Sequence, residues 1–453
     1  MKLLTSFIFT GIVLFSFLSD NGKIAEVSDY ANFLTQDAEK GTNVANAEFD
    51  YWNAKFISTP HQYPYILKMA AAQNALFEHT GHINHLKEAT CLLEDAELLT
   101  YGTNAGIKRQ LAKNFISEHR FTEAHKLLIE AERIGLNLVS TQKMLFDVNM
   151  EIGDYETAEQ YLKSGFAKKN DFDYLIRRSK WEDHQGELSE AIYFMERAHA
   201  AAVSAKDQHL IQWTNTNLGD YYGHAGEIKK SYNKYFKALE HNPGDAYAKK
   251  GIAWIAFAHD RNTTEATRIL KSIQQYYRSP DILLFLAEIA EYDENHTEQE
   301  KYMAEYLNEI ESNPAYGNMY NKYNIAIYAD DEATQHKALD LAEYEIDMRP
   351  TAQSYSLLAW SKYKSGQIKE SQDLIMNHVI DHTFEPEPLF LAAQILHGTK
   401  SDYDLTEIIT ELKESTYELG PMAAKKIEQL SINLIQAMKE RINIDVQQLM
   451  KKE

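Results

Sequence analysis

Small side chains return at a fixed interval along this chain, and that return limits its folds more tightly than anything else in the sequence. Leu218-Gly219 is answered 34 positions later (252 − 218) by Ile252-Ala253. Between them stand Tyr222, Gly226, Ile228, Ser231, Tyr235, Ala238-Leu239 and Pro243, which complete a unit running from Gln212 to Asp245. Leu218, Tyr222, Ile228, Tyr235 and Leu239 fall at helical spacing and supply a buried stripe. Gly219, Ser231 and Ala238 are small where two helix backbones must approach closely, and a large side chain there would overpack the contact by about 1–3 kcal/mol. Asn242-Pro243 halts the second helix. One such helix pair buries too little apolar surface to stand alone, so stability must come from stacking on neighbours.

The same spacing recurs on both sides. Upstream come Leu111-Ala112, Phe115, Phe121, Ala124, Leu128 and Ala131, then Leu145, Gly153, Tyr155, Ala158 and Leu162, then Gly186, Leu188, Ala191, Met195 and Ala198. Downstream, Ile252-Ala253, Ala256, Ala266, Leu270 and Pro280 follow with a one-residue insertion. Ile325-Ala326, Ala329, Ala338 and Pro350 form a later set, and Leu358-Ala359, Gly366, Ile368 and Ser371 another. Weaker units lie around Leu76–Ala96, Leu286–Pro314 and Leu391–Leu412. The longest departure, His199 to Leu210, predicts an extended helix and loop. About ten units result, and a chain of 453 residues so arranged escapes the limit of roughly 250–300 residues on a single core.

The Gln212–Asp245 unit closely resembles the tetratricopeptide repeat, with Asn215 where the motif often opens on Trp. The resemblance implies an all-α, right-handed solenoid of about ten helix–turn–helix repeats over residues 46–415. It also implies a scaffold that binds a peptide or protein in a concave groove and carries no cofactor. In that family the first helix of each pair lines the groove. Matched unit by unit, this places Trp213, Thr216 and Asp220 there, then Tyr247, Lys250 and Trp254, then Tyr320, Tyr323 and Ile327, then Ser356, Trp360 and Tyr363. Aromatic side chains among a few charges suit an extended peptide or a partner helix. They would also stack on sugars, so a carbohydrate-binding or outer-membrane accessory role is the alternative.

The two ends read differently. Met1-Lys2 and the uncharged run Leu3 to Leu18 resemble a secretory signal over residues 1–19, or an uncleaved anchor, and place the chain as an exported bacterial protein, periplasmic or at the cell surface. Residues 20–45 are polar and read as a linker. Glu48 to Pro60, with Phe49, Trp52 and Phe56 at helical spacing, reads as a capping helix. Residues 416–453 read as the C-terminal cap, with a helix from Pro421 that turns Ile427, Leu430, Leu434 and Met438 to one face.

Charge and chemistry narrow the function further. The formal charge of −21 repels phosphates, which disfavours nucleic acid and anionic membranes and leaves a basic partner open. The single cysteine, Cys91, excludes an intramolecular disulfide and reads as a small core residue between Thr90 and Leu92. No G-x-S-x-G elbow, phosphate-cradling glycine loop or H-E-x-x-H is present, so no catalytic residue is expected. His79, His82 and His85 are three apart and form a weak candidate for a transition metal. Gly81 marks a turn between them, which makes them solvated turn residues in the simpler reading. His378 and His382 stand on the same footing.

Overall fold

The computed structural model describes residues 22–35, 39–164 and 171–450. Residues 1–19, expected as a signal segment, lie outside them, as do Lys451 to Glu453. No strand occurs among the described residues. Two helices lead in: α1 (Val27–Leu34) and α2 (Glu39–Ser58). Helix pairs follow: α3 (Tyr63–Thr80) with α4 (Ile83–Leu99), α5 (Ala105–Ser117) with α6 (Phe121–Ile134), α7 (Leu138–Ile152) with α8 (Tyr155–Ser164), and α9 (Phe172–His184) with α10 (Leu188–Ala205). Then come α11 (Gln208–His224) with α12 (Ile228–His241), α13 (Ala246–Trp254) with α14 (Thr263–Ile273), and α15 (Asp281–Tyr292) with α16 (His296–Ser312). The last pairs are α17 (Asn321–Asp330) with α18 (Gln335–Met348), α19 (Ala352–Lys364) with α20 (Ile368–His378), and α21 (Pro386–Gly398) with α22 (Thr406–Glu414). α23 (Thr416–Met450) closes the chain. The protein is an all-α helical repeat solenoid.

The small residues act as the spacing requires. A Cβ on Gly219 would lie 2.6 Å from the Tyr235 ring, and one on Gly251 in the next pair would lie 2.5 Å from the same ring. Tyr235 therefore fills a slot that two glycines open between α11 and α13. Ser231 Oγ donates to the Gly219 carbonyl at 2.6 Å, and Ser371 Oγ repeats the bond to the Ala359 carbonyl at 2.7 Å. Each small side chain thus lets two helices touch and satisfies a buried hydroxyl at the contact. The one-residue insertion near Ala256 takes the form of a π-helical turn, Ile255–His259, which absorbs an extra residue without breaking α13 from α14. The excess at His199 to Leu210 goes into α10, 18 residues long, and a short loop through Lys206 in the left-handed region.

Two expectations are corrected. Residues 20–45 are not a bare linker, because α1 lies there and docks on the middle of the array. Tyr30 is fully buried and donates to Glu265 Oε1 at 2.8 Å, while the Asp260 carboxylate accepts from the Ile24 and Ala25 amides. α2 also begins nine residues before Glu48 (48 − 39). An eight-residue helix with two buried positions, Tyr30 and Leu34, shows too little periodicity to be read from polarity. Cys91 is exposed rather than in the core. The helical step that buries Ala89, Thr90 and Leu93 turns position 91 outward.

The array also folds back on itself. The Arg278 amide donates to the Thr80 carbonyl at 2.7 Å, and Arg349 Nε to the Glu151 carbonyl at 3.2 Å. Thr122 Oγ1 donates to the Met348 carbonyl, and Gly186 packs against the Phe384 ring. Turns within the early pairs therefore rest on the links between later pairs.

Candidate ligand cleft

The first helices of the later pairs face a common cavity of about 820 Å³. α11 contributes Asp220, Gly223 and His224, α13 Tyr247, Lys250 and Trp254, α15 Asp281, Phe285 and Glu288, α17 Lys322, Tyr323 and Ile327, and α21 Glu387 and Phe390. The remaining wall comes from the start of α23, where Tyr417, Glu418 and Leu419 precede a break. Gly420 (φ 85°, ψ 168°) interrupts the helix, and Pro421 restarts it. Trp254 Nε1 donates to the Tyr417 carbonyl at 3.0 Å, which ties the C-terminal segment to α13. Beyond Pro421, Ile427 and Leu430 are buried against α21 and α22, as the face read from the sequence requires. The side chain of Met438 lies outside the described residues.

Of the twelve groove residues expected from the sequence, the structure brings Asp220, Tyr247, Lys250, Trp254, Tyr323 and Ile327 to this cavity. The other six lie elsewhere. Trp213 is partly exposed against Phe172, and Thr216 is buried with its hydroxyl on the Trp213 carbonyl. Tyr320 is packed between Tyr306 and Tyr316, and Trp360 lies on Tyr363 under the Lys364 ammonium. Ser356 is buried, and Tyr363 reaches Gly398. Sequence reasoning missed Tyr417 and Glu418, which cross from the far end of the chain. It also missed Glu288, whose polar side chain among Phe285, Leu286 and Ile289 was the available signal.

The cleft holds five carboxylates. Asp281 pairs with Lys250, which keeps its carboxyl below the usual range despite burial, and Glu387 accepts from Lys322 at 3.2 Å. Asp220 accepts from the Tyr235 hydroxyl at 2.5 Å and the Tyr247 hydroxyl at 2.9 Å, yet its burial raises its pKa. Burial first, then the Glu291 charge, pushes Glu288 up to about 7. Burial, with Glu385 and Glu387 nearby, does the same to Glu418. His224 is 3.7 Å from Glu418, but burial depresses its pKa and favours the neutral ring. Among the described residues, no lysine or arginine is ion-paired with Asp220, Glu288 or Glu418.

The candidate metal histidines occupy helix ends. His79 lies in the last turn of α3, His82 caps α4, and His85 Nδ1 bonds Gln73 Oε1 at 2.7 Å. His378 stacks on Tyr355. Among the described residues no group of three or more His, Cys, Asp or Glu side chains is gathered to hold a metal. No described helix is long and apolar enough to cross a membrane.

No family model matches the chain, and no curated protein matches it. Solved structures similar to it include PilF of Pseudomonas aeruginosa, 14% identical with a TM-score of 0.35, covering 48% of this chain and 96% of that one. A tetratricopeptide repeat protein from Parabacteroides merdae is 15% identical with a TM-score of 0.31, covering 69% and 98%. IFIT1, solved as a monomeric mutant with Gppp-AAAA, is 12% identical with a TM-score of 0.44, covering 74% and 75%. The repeats here are tetratricopeptide-like. That description stands on the chain's own helix pairs, their recurring small contacts and their turn glycines. Within this tetratricopeptide-like array, the cleft belongs to the later pairs and the C-terminal segment.

Proposed function

We propose that this protein is an exported, non-enzymatic scaffold that holds a segment of a partner protein in the cleft between its later helix pairs. The observation that carries the reading is the cleft itself: first helices of five pairs converge on one space with aromatic rings and charges at its surface. Tyr247 is half exposed there, and Tyr323 is 36% exposed. Large rings displayed on a rigid helical wall are effective anchors, since few rotors must be stilled on binding. Export rests on the N-terminal run alone.

A photo-crosslinking amino acid placed at Tyr323 should capture a discrete partner in the native organism. The same group at Tyr193, exposed on α10 away from the cleft, should not. Equal labelling from both positions would refute the cleft as the docking site. Tyr247→Ala should weaken capture from Tyr323 by about tenfold or more, the usual effect of removing an anchor ring.

A further inference from the structure

We propose that the cleft recognises a lysine-bearing extended segment, whose ammonium enters between the ring faces of Trp254, Tyr247 and Tyr417 and the carboxylates of Asp220, Glu288 and Glu418. This rests on the reading of the cleft as a protein-docking site and names the chemistry of its occupant.

The argument begins with an imbalance. Five carboxylates line the cleft, and only Lys250 and Lys322 answer them, each already committed to Asp281 and Glu387. Asp220, Glu288 and Glu418 face the half-enclosed space without a lysine or arginine ion pair: two tyrosine hydroxyls donate to Asp220, and Lys426 reaches Glu288 only as a more distant charge. Desolvating a carboxylate without a partner is unfavourable, and a soluble array gains nothing from concentrating that cost inside its cleft. A cation entering there would offset it. The aromatic lining favours the same ligand, because ring faces attract ammonium groups in a partly desolvated site. The 820 Å³ space is wide enough for several side chains, and Tyr323, Ile327 and Phe390 continue its wall beyond the acids, so an extended segment has surface on which to lie. Polyphosphate chains, by contrast, meet the wrong charge.

The site also carries a pH signature. Glu418 faces His224 on α11, Asp183 on α9, and Glu385 and Glu387 at the start of α21. Glu288 faces Glu291 on its own helix and Lys426 on α23. Asp220 faces Tyr235 on α12, Tyr247 and Lys250 on α13, and His224. A carboxylate that titrates near 7 must lose its proton before it holds a cation. Binding therefore strengthens as pH rises from 6 to 8, by up to about tenfold for each such group. Ordinary surface carboxylates, ionised throughout that range, give a flat profile.

The test uses the full chain and a fluorescent, end-blocked decapeptide of alternating lysine and glycine. The peptide should bind several-fold tighter at pH 8 than at pH 6. The Glu288→Gln, Glu418→Gln double variant should lose about tenfold and flatten the profile, while Glu48→Gln, Glu343→Gln, at two exposed positions away from the cleft, should change neither. The same peptide with ε-acetylated lysines should not bind. Equal binding of the acetylated peptide, a flat profile in the unmodified protein, or no effect of the double variant overturns the proposal. Spermidine binding as tightly as the peptide would overturn the commitment to a protein segment and assign the site to a free amine. If a partner is captured from Tyr323 while the lysine peptide fails these criteria, the docking reading stands and the cation falls. If Tyr323 captures nothing, the docking reading falls whatever the peptide does.

Discussion

At the scale of single residues, the cleft acids and the interhelix glycines pull stability in opposite directions. Glu288 and Glu418 hold their protons up to about pH 7 in the folded chain, well above the range of an unfolded carboxyl. The folded state then binds more protons than the unfolded state between about pH 4.5 and 7, so stability falls as pH rises through that window and is flat above it. Glu418→Gln removes the ionisation. Its melting temperature should exceed that of the unmodified protein at pH 8, by a shift worth on the order of 1 kcal/mol after allowance for partial solvent access, and the gap should close by pH 5. Calorimetry at the two pH values checks this. An acid kept where a neutral amide would be more stable fits a ligand role for the side chain. Gly219 behaves conversely. A Cβ there meets the Tyr235 ring at 2.6 Å, so Gly219→Val should cost about 1–3 kcal/mol by overpacking, read as a lower urea midpoint. Gly219 was legible in the sequence because its smallness recurs. Glu288 and Glu418 were not, because a lone Glu288 in an apolar stripe looks the same whether it meets solvent or a closed space, and Glu418 arrives from the far end of the chain.

At the scale of elements, legibility followed the number of turns a helix shares with its neighbours. The ten pairs were readable because each repeats a stripe and a small contact, and even the insertion near Ala256 announced itself one residue out of phase before appearing as a π turn. α1 and the start of α23 were not readable as docked segments, since their partners lie more than 150 residues away in sequence. The C-terminal joint can be tested at Gly420. Its backbone lies in a region open essentially to glycine alone, and a Cβ would sit 2.8 Å from both Glu288 Oε1 and the Trp254 ring. Gly420→Ala should therefore cost about 1–3 kcal/mol locally. Hydrogen exchange should quicken over residues 416–420 and leave α3 to α8 unchanged. Unaltered exchange over 416–420 would mean that the segment does not depend on this backbone conformation.

The whole molecule departs from the usual behaviour of a repeat array. In a simple solenoid each unit touches only its neighbours, so the two ends unfold with little knowledge of each other. Here Arg278 meets Thr80, Arg349 meets Glu151 and Phe384 meets Gly186, each pair 198 positions apart. At about 34 residues per unit, that offset is about six units, and it brings one round of the array against the next. A spacing pattern can specify each local step, but the closure depends on small rotations summed over six units and on turn residues with no periodic signal. Arg349 concentrates this closure: it bonds the Glu151 carbonyl, approaches the Glu151 carboxylate at 3.5 Å and covers the Phe121 ring. Lys180 holds the same carboxylate at 2.8 Å, so Arg349→Ala leaves Glu151 paired while removing one of the links between rounds. The variant should keep its helicity by circular dichroism yet expand measurably in small-angle X-ray scattering, with urea unfolding broadened as the early and late pairs uncouple. A single sharp transition and an unchanged radius of gyration would show that nearest-neighbour stacking alone sets the shape. The cleft would then owe its enclosure to α23 rather than to the winding of the array.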